Sequence, residues 1–425
     1  MECDLQHAVV HAGGHAFSYN KISIILHFHQ GSGEQETTRA GIARFLLSKS
    51  RNYQADHDYA LGQRTPDTGG WFLESAEYNQ WKSRAGRYLE CVGVPGAGKT
   101  VMSGIIIQDL QLSDPTPVVL LIYNNAYSQA VGDPQQICLL SLLGQLLLQT
   151  ASASISQELA AIYNTYRSDK NRLPEIRKAR YILKQELASA PYSFIVLDAL
   201  DEFCVGNVTA QKQLIGELWD LGTSVLVTSR HAAPFTAGVR VSCPIVARDE
   251  DVRTYVAATL KQLSLLRDIT KPRKGFVMEL IDGNVSKSDT IFLRPKLMLG
   301  SMSKCSNVVE VRRILRASSS LDEVYGTLFA QIRQATPWVF HLFYLLLLAR
   351  DTEMGERAVL QYLACDEWEE GDLNDRVRTA DEVIAACRGL VTTVMHPRVV
   401  DEGSEAGLVF QFCHLSVREY LDSIT

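Results

Sequence analysis

The chain has 425 residues, 46% hydrophobic and 21% charged, and its 42 basic and 48 acidic residues leave a net charge of −6. That length implies two to four domains with a substantial core, and the charge supplies no net positive field, so neither nucleic acid nor a membrane is expected as a partner. Nine cysteines, at 3, 91, 138, 204, 243, 305, 365, 387 and 413, form no C-x-x-C pair and no zinc spacing, which reads as reduced thiols in a cytoplasmic protein.

Met1-Glu2-Cys3-Asp4 opens no signal peptide. The first 60 residues say least: Lys21 to Phe28 reads as one strand, and His7, His11 and His15 recur every four residues, but Gly13 and Gly14 weaken the helix that would align them on a metal. At Arg64-Thr65-Pro66-Asp67-Thr68-Gly69-Gly70-Trp71 a turn rich in Gly and Pro leads into a short helix through Tyr78 and Trp81. Tyr88 to Val92 then reads as a strand running into Cys91-Val92-Gly93-Val94-Pro95-Gly96-Ala97-Gly98-Lys99-Thr100.

That stretch fits the phosphate loop G-x-x-x-x-G-K-[ST], with Gly93, Gly98, Lys99 and Thr100 at the fixed positions and Pro95, Gly96 and Ala97 between them. Glycines let backbone N–H groups close around a β-phosphate. Lys99 brings a charge to the β- and γ-phosphates, and the Thr100 hydroxyl ligates Mg²⁺. A helix beginning near Val101 would aim its positive N-terminus at the anion.

Val118 to Tyr123 is a continuous apolar run, the pattern of a strand buried on both faces. Residues 135 to 188 read as helical, with Ile137, Leu140, Leu143, Leu146 and Leu147 at helical spacing. Phe194-Ile195-Val196-Leu197-Asp198 is a Walker B strand whose carboxylate would reach the Mg²⁺ held by Thr100, and Asp201-Glu202 follows it closely. After a helix over Ala210 to Leu221, Ser224 to Arg230 forms another buried strand. Arg230 either stands at the carboxyl edge of the sheet, where nucleotides bind in open α/β folds, or is an ordinary surface charge. Val239 to Val246 suggests the last strand.

Beyond residue 247 the pattern turns helical. Asp249 reads as an N-cap, and Ser320-Leu321-Asp322-Glu323 as a capping box. Helices are expected over Trp338 to Arg350, Glu356 to Cys365 and Asp381 to Arg388. The first of these is the most apolar run, but it contains His341 and is about half as long as a membrane span. Leu390 to Met395 and Leu408 to Phe412 form a hairpin, with a last helix from about His414. Three helices and a two-stranded wing make a winged helix, and the lack of a basic recognition helix argues against DNA binding.

With R-T-P-D-T-G-G-W-F-L-E, G-V-P-G-A-G-K-T, F-I-V-L-D-A-L-D-E, V-L-V-T-S-R-H and F-C-H-L-S-V-R-E-Y-L in this order over roughly residues 60 to 425, the chain resembles the NACHT-domain proteins of filamentous fungi, within the STAND class of signal-transducing P-loop NTPases. The resemblance implies an α/β P-loop NTPase core with a parallel sheet (61–247), a helical domain (248–335) and a winged-helix domain (336–425), with residues 1–60 of unknown role. It implies that Gly96, Gly98, Lys99 and Thr100 hold phosphates and Mg²⁺. Asp198 would be the metal carboxylate, Asp201 or Glu202 would polarise the attacking water, and Arg230 would sense the γ-phosphate. His414 falls where such proteins touch the bound diphosphate, while by composition alone it reads as a core histidine at a strand end. Two departures stand out: Pro295 interrupts an expected helix and should kink it, and no repeat of 30 to 45 residues, such as the ankyrin or WD40 arrays of family members, is found.

The implied function is a switch closed with ADP and opened by ATP, hydrolysing slowly, homo-oligomeric when ATP-bound, and signalling to an unidentified effector in fungal innate recognition or incompatibility. The rival readings are an AAA-like ATPase that turns over continuously and a nucleotide-bound scaffold that does not hydrolyse.

Overall fold

The computed structural model describes residues 39–125, 132–150, 155–166, 174–190, 192–233, 240–270, 273, 275–317, 320–348, 355–365, 377–396 and 407–424. The histidines at 7, 11 and 15 and the strand expected from Lys21 to Phe28 lie outside them. Helices α1 (Arg39–Lys49), α2 (Gln54–Gly62), α3 (Gly70–Leu73) and α4 (Ala76–Lys82) precede strand β1 (Tyr88–Val92). Helix α5 (Lys99–Gln111) leads to β2 (Val118–Tyr123), and α6 (Pro134–Gln149), α7 (Gln157–Tyr166) and α8 (Ile176–Ala188) lead to β3 (Ser193–Asp198). A 3-10 turn over Leu200–Glu202 and α9 (Val208–Trp219) lead to β4 (Ser224–Ser229) and the short β5 (Arg240–Ser242).

These five strands form one parallel sheet in the order β2-β3-β4-β1-β5, an α/β P-loop core. Every residue of β3 and β4 is buried, which is why their sequences are almost unbroken apolar runs: parallel crossovers put helices on both faces of the sheet. The exception in the sheet interior is Glu90 of β1, 1% exposed, which accepts from the backbone N–H of Ala233 and pairs with Arg240 on the edge strand. The stretch read as uniformly helical between 135 and 188 is three helices.

Strand β2 is an edge, and an edge strand exposes unpaired backbone groups. Helix α6 covers it with glutamines one turn apart. Gln145 Oε1 accepts from Leu121 N–H at 2.8 Å and its Nε2 donates to Leu121 O at 2.9 Å. Gln149 does the same at Val119, at 2.9 and 2.8 Å. Two side-chain amides thus imitate a sixth strand. Helix α1 buries Ile42, Ala43 and Leu46 in the same core, so residues the sequence pattern left undecided are structural.

The chain continues as α10 (Asp249–Gln262), α11 (Ser264–Thr270), α12 (Phe276–Ser288), α13 (Leu293–Met302), α14 (Val308–Ala317), α15 (Leu321–Ala335), α16 (Val339–Leu348), α17 (Glu356–Cys365) and α18 (Ala380–Ala386). The antiparallel hairpin β6 (Val391–His396) and β7 (Gly407–Phe412) and helix α19 (Leu415–Ile424) follow. Thr379 and Glu382 form a capping box at α18, and Ser320 accepts from Glu323 N–H at α15. A second apolar cluster, from Ala247 to Leu421, is distinct from the first, which ends at Ile245.

Two expectations are corrected. The N-cap of α10 is Arg248, not Asp249. The Arg248 guanidinium lies 4.1 Å from the Trp71 ring centroid, and Asp249 joins Glu250 and Asp251 in the first turn, where acids complement the helix dipole. Pro295 does not kink a helix: it is the third residue of α13, where the missing N–H has no intrahelical acceptor to lose.

Gln145→Leu should leave the N–H and C=O of Leu121 buried without partners, at about 1–3 kcal/mol for each. A lower midpoint in urea denaturation is the expected result; an unchanged midpoint would mean that the β2 edge does not depend on the glutamine.

Candidate functional site

The site grows from the turn after β1. Gly93 N–H donates to Ser229 O at 3.1 Å, tying the loop to β4. A Cβ at Gly93 would lie 2.5 Å from the Ile245 carbonyl oxygen, so the approach of that backbone requires glycine. Ala97 N–H closes a turn onto Val94 O at 3.2 Å. Pro95 and Gly96 occupy its centre, Gly96 at φ +77°, the residue pair that a type II turn favours. Any side chain at Gly96 would also strike Leu293, whose Cβ would be 2.5 Å away. Lys99 Nζ donates to Gly93 O at 2.8 Å and Val94 O at 3.2 Å. Burial lowers the pKa of Lys99, opposed by the charges of Asp201 and Asp198.

The carboxylates come from the turn after β3. Asp198 is buried, and its Oδ1 accepts the hydroxyls of Ser103 at 2.7 Å and Thr228 at 2.6 Å. Ala199 takes φ +52°, a left-handed conformation costly for a residue with a Cβ, and its N–H is held by Thr228 Oγ1 at 2.9 Å. That bend delivers Asp201 and Glu202 to the carboxyl edge of the sheet. Asp201 is bound on both oxygens by Arg230, Oδ1 by the backbone N–H at 3.0 Å and Oδ2 by Nε at 2.9 Å. Arg230 Nη1 reaches Glu419 of α19 at 2.6 Å. Burial works against the Arg230 charge, but Glu419 and Asp201 outweigh it and raise the pKa of the guanidinium. Arg230 thus lies at the carboxyl edge of the sheet, 14% exposed and paired with two carboxylates.

His414 stands at the loop itself. Its Nε2 accepts from Gly96 N–H at 3.2 Å, and its Nδ1 lies 2.7 Å from Ser416 Oγ. Burial, with the positive charges of Lys99, Arg230 and Lys296, pushes its pKa down to about 3. The Ser416 N–H also points at Nδ1, at 3.1 Å, so a neutral ring, with one acceptor nitrogen, takes only one of the two backbone N–H groups at a time. On the other side of Gly96, its carbonyl accepts from Leu293 N–H at 3.2 Å, at the start of α13.

These elements enclose a cavity of about 310 Å³ lined by Gly96, Ala97, Gly98, Lys99, Thr100, Asp201, Glu202, Arg230 and His414. Tyr59, Trp71, Tyr255 and Phe292 form the aromatic part of its wall, Phe292 lying close to Gly98. Asp251 of α10 fixes that wall, accepting from Gly69 N–H and Trp71 Nε1–H, both at 3.1 Å. Asp198 stands behind the wall rather than in it. Ser103, Thr228, Asp251 and Glu419 were not foreseen from sequence. Ser103, four residues after Lys99 on the same helix face, carried the only local signal. Among the described residues no group of three or more His, Cys, Asp or Glu is placed to hold a metal, and no helix is long and apolar enough to cross a membrane.

A family model described as Nephrocystin 3, N-terminal, matches residues 67–230, from the turn before α3 to Arg230. No curated protein matches the chain. Among solved structures, the chain is similar to a Signal Transduction ATPase with Numerous Domains with a tetratricopeptide repeat sensor from Pyrococcus horikoshii, at 12% identity and TM-score 0.42 over 82% of this chain. It spans only 41% of that protein's length. Aeropyrum pernix ORC1 in complex with DNA matches at 14% identity and TM-score 0.32, covering 89% of this chain and 96% of that one. Drosophila ORC bound to DNA matches at 13% and 0.31, covering 87% and 98%. At these identities and TM-scores no role is carried from those proteins to this chain. They do correct one expectation: two of these proteins are bound to DNA, so the exclusion of nucleic acid does not stand. The physical reason is that a net charge of −6 averages over the whole molecule and does not describe any one face of it.

His414 also sets a pH dependence. Its folded pKa lies below the ordinary 6.5, so the unfolded chain binds the extra proton between those values and stability falls as pH drops through that window. The stability of wild type should therefore decline more steeply from pH 6.5 to 4 than that of His414→Asn, and parallel unfolding curves would show that the ring is not held neutral.

Proposed function

We propose that this chain is an ATP/ADP-dependent signalling switch of the NACHT/STAND class, closed with ADP and opened by ATP, with the domain division 61–247, 248–335 and 336–425 and a winged helix formed by α16–α19 and the hairpin. The observation that carries this reading is the double hold on Gly96: one loop residue is bonded to His414 on one side and to α13 on the other. Whatever occupies the loop must therefore act on both C-terminal pieces.

The residues fit a nucleoside di- or triphosphate. The loop leaves no space for a Cβ at Gly93 or Gly96, as a backbone cradle for phosphate requires. Lys99 lies in the cavity wall to receive the phosphate charge, and the aromatic wall suits a base. Thr100 and Asp198 would hold Mg²⁺, which neutralises phosphate charge when bound. Asp201, held on both oxygens by Arg230, or Glu202 would orient a water for slow hydrolysis. Arg230 would then read the third phosphate, and His414 would report loop occupancy to α19. The resemblance supports oligomerisation with ATP and a setting in fungal recognition or incompatibility.

Lys99→Ala should abolish nucleotide binding by calorimetry; binding within a few fold of wild type would defeat the phosphate-loop reading. Glu202→Gln should keep ATP but lose hydrolysis. His414→Leu should release ADP faster and self-associate more readily with ATP, by roughly 2- to 10-fold in the opening equilibrium if one neutral hydrogen bond of about 0.5–1.5 kcal/mol is lost. A stable variant with an unchanged ADP off-rate and unchanged mass by light scattering would reject the lock.

A further inference from the structure

The guanidinium of Arg230 is shared between two carboxylates. Nε is on Asp201 and Nη1 on Glu419, while Nη2 is buried with no hydrogen-bond partner among the described residues. A buried donor without an acceptor is costly, and Arg230 lines the same cavity as Lys99 and Thr100. A phosphate oxygen is the acceptor an arginine fork matches best. Asp201 follows β3 and is 17% exposed, whereas Glu419 is on α19 and 48% exposed, so Glu419 is the partner more readily exchanged for another anion.

We infer that Glu419 is the residue through which this site distinguishes ATP from ADP, by competing with the third phosphate for Arg230; this rests on the proposed nucleotide switch. A γ-phosphate at Nη2 places a second strong negative charge against the guanidinium that Glu419 already holds. The two anions repel and draw on the same cation. A diphosphate lacks that group and leaves the pair intact. The rest of α19 stays with the second cluster: Val417 and Leu421 are buried in it, Ser416 Oγ lies 2.7 Å from Tyr325 OH, and Arg418 donates to Leu347 O. Loss of the Glu419 bond thus frees α19, together with His414 at its start, to part from the loop as a unit. Glu419 is a positioning residue, acting on the nucleotide through Arg230.

The test is displacement of a fluorescent ADP by ADP and by a non-hydrolysable ATP analogue with Mg²⁺, in Glu419→Gln, Glu419→Ala, Arg230→Ala and the Arg230→Ala/Glu419→Gln double variant. With the competitor removed, both Glu419 variants should favour the triphosphate over ADP by about two- to fivefold more than wild type, the size of a half-screened ion pair. In the Arg230→Ala background the Glu419 substitution should leave that ratio unmoved. A ratio unchanged in both single variants, or shifted equally without Arg230, overturns the inference. If wild type binds no nucleotide, or Lys99→Ala binds as well as wild type, it is the nucleotide reading that fails instead.

Discussion

Gly96 is the point on which the arrangement depends. Its N–H and C=O are the only polar groups it has, and both are committed to residues some 200 to 320 positions later in the chain, Leu293 and His414. A glycine at positive φ has no side chain to shield its backbone, so two long-range contacts can reach it at once. Leu293 and Ile291 press where a Cβ would be, and the same residue lines the cavity. The turn therefore serves two constraints with one residue, and any displacement of the loop is felt at α13 and at the start of α19.

The second constraint is the fixed charge at the end of β3. Two hydroxyls, from Ser103 of α5 and Thr228 of β4, converge on one oxygen of Asp198, and Thr228 also holds the strained Ala199. One threonine thus orients the buried acid and sets the bend that places Asp201 and Glu202. Asp201 spends its carboxylate on Arg230, fixing the base of the arginine while its tip extends to α19. The near carboxylate is structural and the far one can be exchanged, an asymmetry that follows from burial alone: Asp201 is 17% exposed and Glu419 48%.

What the sequence made legible was whatever is encoded within a few residues of itself. The strand before the glycine-rich turn and the helix after it, the apolar strands β2 to β4 and the hairpin are local patterns, and each is found where its pattern placed it. The roles of Arg230 and His414 came from the resemblance, while composition alone favoured a core role for the histidine; its contact with the Gly96 N–H spans too much of the chain to leave a local mark. The edge-covering glutamines, Ser103, Thr228 and Glu419 were invisible because each acts on a partner far along the chain, and a polar residue on a helix or strand carries no mark of what it meets. Pro295 and Asp249 misled for the opposite reason. Both are strong local signals, and a shift in a helix start by one or two residues, decided by packing of Arg248 on Trp71 and of Leu293 on the loop, changed what they mean.

The two apolar clusters close separately, one ending at Ile245 and the other beginning at Ala247. Separating them need not open either core; it breaks contacts that include the Gly96 bonds to His414 and Leu293, the Asp251 bonds to Gly69 and Trp71, and the Arg230–Glu419 pair. Each of these is polar, so each is worth on the order of 1 kcal/mol rather than the several of a buried aromatic. A gap of a few kcal/mol between closed and open forms is what a ligand with modest differential affinity can overcome. Had His414 and Glu419 been replaced by apolar residues packed against the loop, the same interface would be more stable and insensitive to phosphate. On the proposed switch, it is the polar character of the contact that would let an anion act on it.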